Sequence, residues 1–216
     1  MSVEPYPKFP KIPRYVREWQ VTEKIDGTNG QIFIKPLTED EILGVTDSPS
    51  LPPCVAFVGL GADSPWEYGY VAVAAGSRNR WLTPESDNHG FAAWVQANAK
   101  ELAEVLPAGR HYGEWWGKGI QRGYDMPHRV FTLFDGVERY GYEINFGDLP
   151  VTMPFVLHWS YGGPPDSLDL FRYGYSHAAD SFGVSYDHPE GVVVRHMPSG
   201  HLYKFTYEGD HHKGQE

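Results

Sequence analysis

Cysteine is almost absent: Cys54 stands alone among 216 residues. One thiol closes no intrachain disulfide, builds no cysteine-based zinc site and gives no sign of an oxidising compartment. Long apolar runs are missing too. None approaches the roughly 20 residues that cross a bilayer, and the first residues, rich in Pro, Lys and Arg, lack the apolar core of a signal peptide. No membrane association and a cytoplasmic location are the expectations. Positive charge is in deficit, with 18 Lys and Arg against 28 Asp and Glu and a formal net charge of -10. That balance argues against an indiscriminate nucleic-acid binder, because sequence-independent affinity comes from Lys and Arg releasing counterions. A nucleic-acid partner would have to meet a local basic patch: Lys8, Lys11, Arg14 and Arg17 near the start, or Arg78, Arg80, Lys118 and Arg122 in the middle. The 10 histidines show no helical ligand spacing and His211-His212 sit in a polar tail, so they read as structural or surface residues rather than a metal site.

What is abundant is turn-forming and aromatic. With 24 Gly, 18 Pro, 15% aromatic and 41% hydrophobic residues, the chain reads as globular, turn-rich and β-heavy, and long enough to bury a core as one domain. Residues 5 to 17, "PYPKFPKIPRYVR", read as a Pro-punctuated extended segment. "WQVTEK" and "GQIFIKP" read as strands on either side of a Gly-Thr-Asn break. The stretch from 44 to 66 mixes turn residues with one short apolar run. Phe91, Trp94, Val95, Leu102, Val105 and Leu106 recur at helical spacing and predict a helix over 90 to 106, capped by Asp87 or Asn88 and stopped by Pro107 and Gly109. "RHYGEWWG", "RVFTLFDGV", "PFVLHW", "EGVVVRH" and "HLYKFTY" read as strands, and a second short helix is expected near 166 to 181. The fold class is α+β, dominated by antiparallel strands.

The chemistry gathers around "EKIDGTN". A lysine with a reference pKa near 10.4 holds almost no neutral amine at pH 7, so a nucleophilic lysine needs desolvation or nearby positive charge. Lys24 at the end of a strand, before a Gly turn that admits close approach of a phosphate, fits that need; Lys24 and Asp26 would share a face of an extended segment. On its own, such a string also suits an exposed hairpin with a salt-bridging lysine. Two acids and a second lysine change the balance: Glu114 at the end of a strand before a Gly-rich loop with Lys118 and Arg122, Glu190 just before three valines of a buried strand, and Lys204 opposite the face made by Tyr203, Phe205 and Tyr207.

In their order, these segments resemble the covalent nucleotidyltransferases, the ATP-dependent polynucleotide ligases and mRNA capping enzymes, and most closely the RNA-ligase branch. "EKIDGTN" is similar to the motif whose lysine takes up a nucleoside monophosphate, "GSRNR" to the next, "GEWWGKGIQ" to the third, "FTLFDG" to the segment with a base-stacking aromatic residue, "EGVVV" to the fourth and "LYKFTY" to the last. The resemblance implies an adenylation domain of the ATP-grasp-like DNA/RNA ligase type over residues 1–216, with no C-terminal OB or other accessory domain. It implies Lys24 as nucleophile, Arg78 near the phosphates, Glu114 and Asn29 at ribose or phosphate, Phe134 on the base and Glu190 on the metal side. Asp26 and Gly27 belong to the lysine motif, and Glu23 beside it is a candidate for reading the base. Where the family has Lys-x-Lys this chain has only Lys204, which is left as the α-phosphate contact. The cofactors implied are ATP with Mg²⁺ or Mn²⁺, and the partners are nucleic-acid ends, RNA before DNA, with a protein partner to supply later steps. A capping-type guanylyltransferase using GTP and a non-catalytic module binding nucleotides or RNA ends are the alternatives.

Overall fold

The computed structural model describes residues 11–44, 51–61, 69–141, 144–168, 171 and 174–208. Lys8, His211 and His212, and parts of the 5–17, 44–66 and 166–181 segments, lie outside the described residues. The chain forms two compact units: Met1–Lys24, Val156–Tyr173 and Pro189–Glu216 make the smaller, Ile25–Phe155 and Gly174–His188 the larger.

The smaller unit is built on a four-stranded sheet in the order β11-β10-β1-β9, from β1 (Trp19–Lys24), β9 (Val156–Ser160), β10 (Gly191–His196) and β11 (His201–Thr206). All its pairings are antiparallel, and the short β10–β11 connection lets the two strands pair along their full lengths. Side chains alternate across a strand. Trp19, Val21, Val192 and Val194 therefore fall on one face, where they form a core with Phe171, backed by Leu157, Leu168, Phe205 and Tyr207.

The larger unit holds the other sheet, in the order β3-β4-β2-β6-β7-β8 with β5 paired to β4. Its strands are β2 (Thr28–Pro36), β3 (Ala56–Gly59), β4 (Tyr70–Gly76), β5 (Trp81–Leu82), β6 (Gly109–Gly117), β7 (Arg129–Leu133) and β8 (Val151–Thr152). Among these strands only β7 and β8 run parallel. Ile32, Ile34, Val71, Val73, Trp115, Phe131 and Leu133 point to one face and pack with Phe91, Val95 and Leu102, which belong to α2 (Phe91–Ala97) and α3 (Ala99–Val105). A second cluster, Ile25, Trp116, Tyr124, Met126, Val130, Ala178 and Ala179, lies toward the other face of β6 and β7, and includes α5 (His177–Asp180). The remaining α-helices among the described residues are α1 (Glu39–Leu43) and α4 (Val137–Tyr140), and Gly123–Asp125 forms a 3-10 turn.

The helix expected over 90 to 106 is two helices. Asn98 interrupts it at φ -114°, ψ 19°, and its side-chain amide donates to the Trp94 carbonyl at 2.7 Å. The short amide competes with the helix ladder for the same acceptor. Asp87 does serve this helix, though from three residues before the N-cap Gly90: its carboxylate accepts from the Ala92 and Ala93 N–H groups at 2.8 and 3.0 Å. Near 166 to 181, the helix among the described residues is the single turn of α5.

Candidate active site

Lys24 is the last residue of β1, and its ammonium pairs with the Glu190 carboxylate, with side chains 22% and 16% exposed. Glu190 sits one residue before β10, its carbonyl accepting from the Tyr207 N–H at 3.0 Å. Lys24 stands opposite Gly191, and Thr22 opposite Val193, which is opposite Lys204. Alternation then puts Lys24, Thr22, Val193 and Lys204 on one face of the smaller sheet. Glu23 falls on the other, with Val21 and Val192, and is buried. The smaller unit thus pairs Lys24 with Glu190, sets Lys204 on the same sheet face two strands away, and sends Glu23 to the other face.

Asp26 does not share a strand face with Lys24, because β1 ends at Lys24. Beyond it, the chain enters the larger unit, and Asp26 is held there. Its N–H donates to the Tyr124 hydroxyl at 2.8 Å and its carboxylate accepts from Arg122 Nε at 3.1 Å. Arg122 Nη1 also donates to the His188 carbonyl at 3.1 Å. Burial pushes the phenol of nearby Tyr186 up, Arg122 opposing and Asp125 adding to the shift. The loop that carries Arg122 and Tyr124 is costly to shape: Gln121, Tyr124 and Asp125 adopt φ of 45°, 53° and 52°, left-handed values that cost non-glycine residues on the order of 1 kcal/mol each. Such conformations persist only where surrounding contacts over-determine them. Here Tyr124 is fully buried against Trp116 and Tyr186.

Gly27 serves the protein first. A Cβ there would come 2.6 Å from the Trp115 carbonyl oxygen and 2.8 Å from Trp116 Cβ, so glycine is required for the turn to lie against β6. Its N–H donates to Glu114 Oε1 at 3.1 Å, and Asn29 Nδ2 donates to Glu114 Oε2 at 2.9 Å. Asn29 and Glu114 are directly opposed on β2 and β6. Glu114 is therefore mid-strand, three residues short of the end of β6, rather than at the strand end. The Asn88 side-chain amide donates to the Thr28 hydroxyl at 2.9 Å.

These residues wall a cavity of about 480 Å³, lined by Gly27, Thr28, Asn29, Glu114 and Asn88 on one side and Ser77 to Arg80 on the other. Arg80 braces that loop, donating to Ser86 through its carbonyl and hydroxyl at 2.9 Å each and to the Asp87 carbonyl at 3.2 Å. Arg78 is exposed at the rim. Phe134 follows β7 directly. Its N–H donates to the Tyr112 carbonyl at 2.9 Å, continuing the ladder, so it lies on the Glu114 face of the sheet, 43% exposed. Arg122, Tyr124, Thr28, Ser77, Asn79 and Asn88 join the expected set. The basic patch and the Gly-rich loop mark Arg122, and Thr28, Ser77 and Asn79 lie inside the segments "EKIDGTN" and "GSRNR"; Asn88 reads only as a helix cap, and Tyr124 carries no signal.

No group of three or more His, Cys, Asp or Glu side chains able to hold a metal ion occurs among the described residues. With Glu190 as the donor at Lys24, the residues suit a hard divalent cation that takes most of its ligands from phosphate oxygens and water.

The sequence matches the RNA ligase family over residues 17–206, and the chain belongs to that family. The fold is similar to that of Naegleria gruberi RNA ligase, in structures of a variant with ATP and Mn and of another with AMP and Mn. TM-scores are 0.54 in both cases at 16% identity, and the matches cover 89% and 90% of this chain and 50% and 51% of those chains. The same ligase with PPi gives a TM-score of 0.53, also at 16% identity, over 89% of this chain and 50% of that one. This chain thus spans about half the length of the ligase chains it resembles. None of the curated proteins matches the sequence.

Proposed function

We propose that the two units together are the adenylation domain of an ATP-dependent RNA ligase and that Lys24 carries AMP. The observation that carries this reading is the half-buried Lys24–Glu190 pair at the end of β1, in a chain of the RNA ligase family. In the first step the Lys24 amine attacks the α-phosphorus of ATP. The N–P bond forms, the bond to the β-phosphate oxygen breaks, and its electron pair leaves with pyrophosphate, giving a phosphoramidate. The Lys24 ammonium must first give up its proton to water, and the pair with Glu190 holds the side chain in place until then. Mg²⁺ or Mn²⁺, with Glu190 as its protein ligand, would supply positive charge for the departing pyrophosphate. Lys204 and Arg78 hold phosphate oxygens. Glu114, kept oriented by Asn29 and Gly27, accepts from ribose hydroxyls, and Phe134 stacks on the base. A 5′-phosphate oxygen of RNA then attacks the same phosphorus, returning the amine, and a 3′-hydroxyl displaces AMP to seal the strand.

The test is incubation with α-labelled ATP or GTP in Mg²⁺ or Mn²⁺, followed by denaturing gel. ATP should leave acid-labile, alkali-stable label on the wild-type chain and none on Lys24→Ala. Label that persists in Lys24→Ala, or an unlabelled wild type, overturns the covalent mechanism; label from GTP alone makes the protein a guanylyltransferase.

A further inference from the structure

Beyond the cavity at Glu114, the same sheet face continues along β2 and β6. Glu114, Tyr112 and Arg110 alternate along β6, and Asn29, Gln31 and Phe33 stand opposite them on β2. The other face of these strands is packed with apolar side chains, whereas here Tyr112 is 46% exposed and Arg110 is exposed. The Arg110 guanidinium lies 4.7 Å from the Phe33 ring centroid and 5.1 Å from that of Trp81, and these rings are 6.1 Å apart. Trp81 directly follows Arg80 in the cavity wall. The strip therefore begins where the cavity ends, and four residues of β6 carry it about 13 Å further.

We propose that Phe33, Trp81, Arg110 and Tyr112 form a docking strip for the single-stranded nucleic acid adjoining the 5′-phosphate that receives AMP. The proposal rests on the ligase reading and names the form of its second substrate. Three features select that occupant. Arg110 has no ion-pair partner among the described residues, and stacking on two rings leaves its N–H edges for phosphate. In a chain of net charge -10, Arg78 and Arg80 at the cavity and Arg110 on the strip outnumber the one acid of the cavity lining, Glu114, so charge complementarity points to a polyanion. The exposed Tyr112 ring, beside the half-buried Phe33 and Trp81 under Arg110, suits stacking on an unpaired base, which a duplex does not offer.

The experiment separates this proposal from the ligase reading. Wild type, Arg110→Gln, Tyr112→Ala and Tyr112→Phe are first labelled at Lys24 with ATP alone. Each is then titrated with a fluorescent 5′-phosphorylated single-stranded RNA, the matching DNA and a blunt RNA duplex, at several salt concentrations. Lys24 labelling should be equal in all four proteins. Tyr112→Ala should weaken single-strand binding and slow AMP transfer about tenfold or more, with Tyr112→Phe retaining both. Arg110→Gln should also lower the salt slope by about 0.7, one phosphate contact. Single-strand affinity and AMP transfer unchanged in both disruptive variants, or wild-type binding to the duplex alone, overturns the strip. A wild type without Lys24 label overturns the ligase reading, and oligonucleotide binding still decides the strip.

Discussion

Replacing Gly27 by alanine tests the packing of the lysine turn. The added methyl would meet the Trp115 carbonyl oxygen at 2.6 Å, Trp116 Cβ at 2.8 Å and Glu114 Cγ at 2.9 Å. The first is backbone of a central strand and the second belongs to a fully buried indole; neither yields cheaply. Forced overpacking of this kind costs about 1–3 kcal/mol. The Gly27 N–H would also move off Glu114 Oε1, weakening a charge-assisted hydrogen bond of about 1.5–3 kcal/mol. Partial relief leaves an expected loss of about 3 kcal/mol, which at a slope of ~2 kcal/mol per M moves the urea midpoint down by about 1.5 M. Gly162→Ala is the control, since a methyl there meets nothing within 4 Å. Lys24 labelling in the folded Gly27→Ala protein should fall with the displaced turn. A Gly27→Ala midpoint equal to that of Gly162→Ala would refute the packing argument.

His111 gives a pH prediction. Burial lowers its pKa from 6.5 to about 4, its Nε2–H donating to the Pro107 carbonyl at 2.7 Å and its Nδ1 accepting from the Tyr140 hydroxyl at 3.1 Å. The unfolded chain binds a proton that the folded one refuses, so the stability present above pH 6.5 should fall as pH drops from 6.5 toward 4, by up to about 3 kcal/mol; urea midpoints across that range check it, with His111→Asn flattening this part of the profile. Asp87→Ala removes both acceptors at the start of α2 and should cost ~1–2 kcal/mol, read as a lower midpoint than Asp87→Asn. Arg122→Met frees the Asp26 carboxylate and should slow Lys24 labelling about tenfold at saturating ATP, measured by quenched-flow; an unchanged rate would make the contact purely structural.

Part of the strands was legible because alternation survives in short segments: "EGVVVRH" and "HLYKFTY" carry β10 and β11 almost residue for residue, whereas β4, a run of small buried residues without alternation, was not singled out. The break at Asn98 was not, since six apolar residues on one helical stripe outweigh a single amide until its contact with Trp94 is visible. Among the site residues, Glu114 and Asn29 lie 85 residues apart in sequence, and family-like order paired them before any geometry did. Tyr124 had no such signal. A buried tyrosine reads as core, and its hydroxyl acts on Asp26 only because three left-handed residues turn the loop. The division into two units also escaped the sequence: no linker marks it, because the chain changes unit inside ordinary segments such as Lys24–Ile25.

The pair between Lys24 and Glu190 spans 166 positions. On a ribosome adding ~5–20 residues per second, β1 would emerge roughly 10–30 s before the strand that completes its neighbourhood. A half-made chain therefore owns a lysine without Glu190, and the larger unit, Ile25–Phe155 and Gly174–His188, must be made before the pair can close.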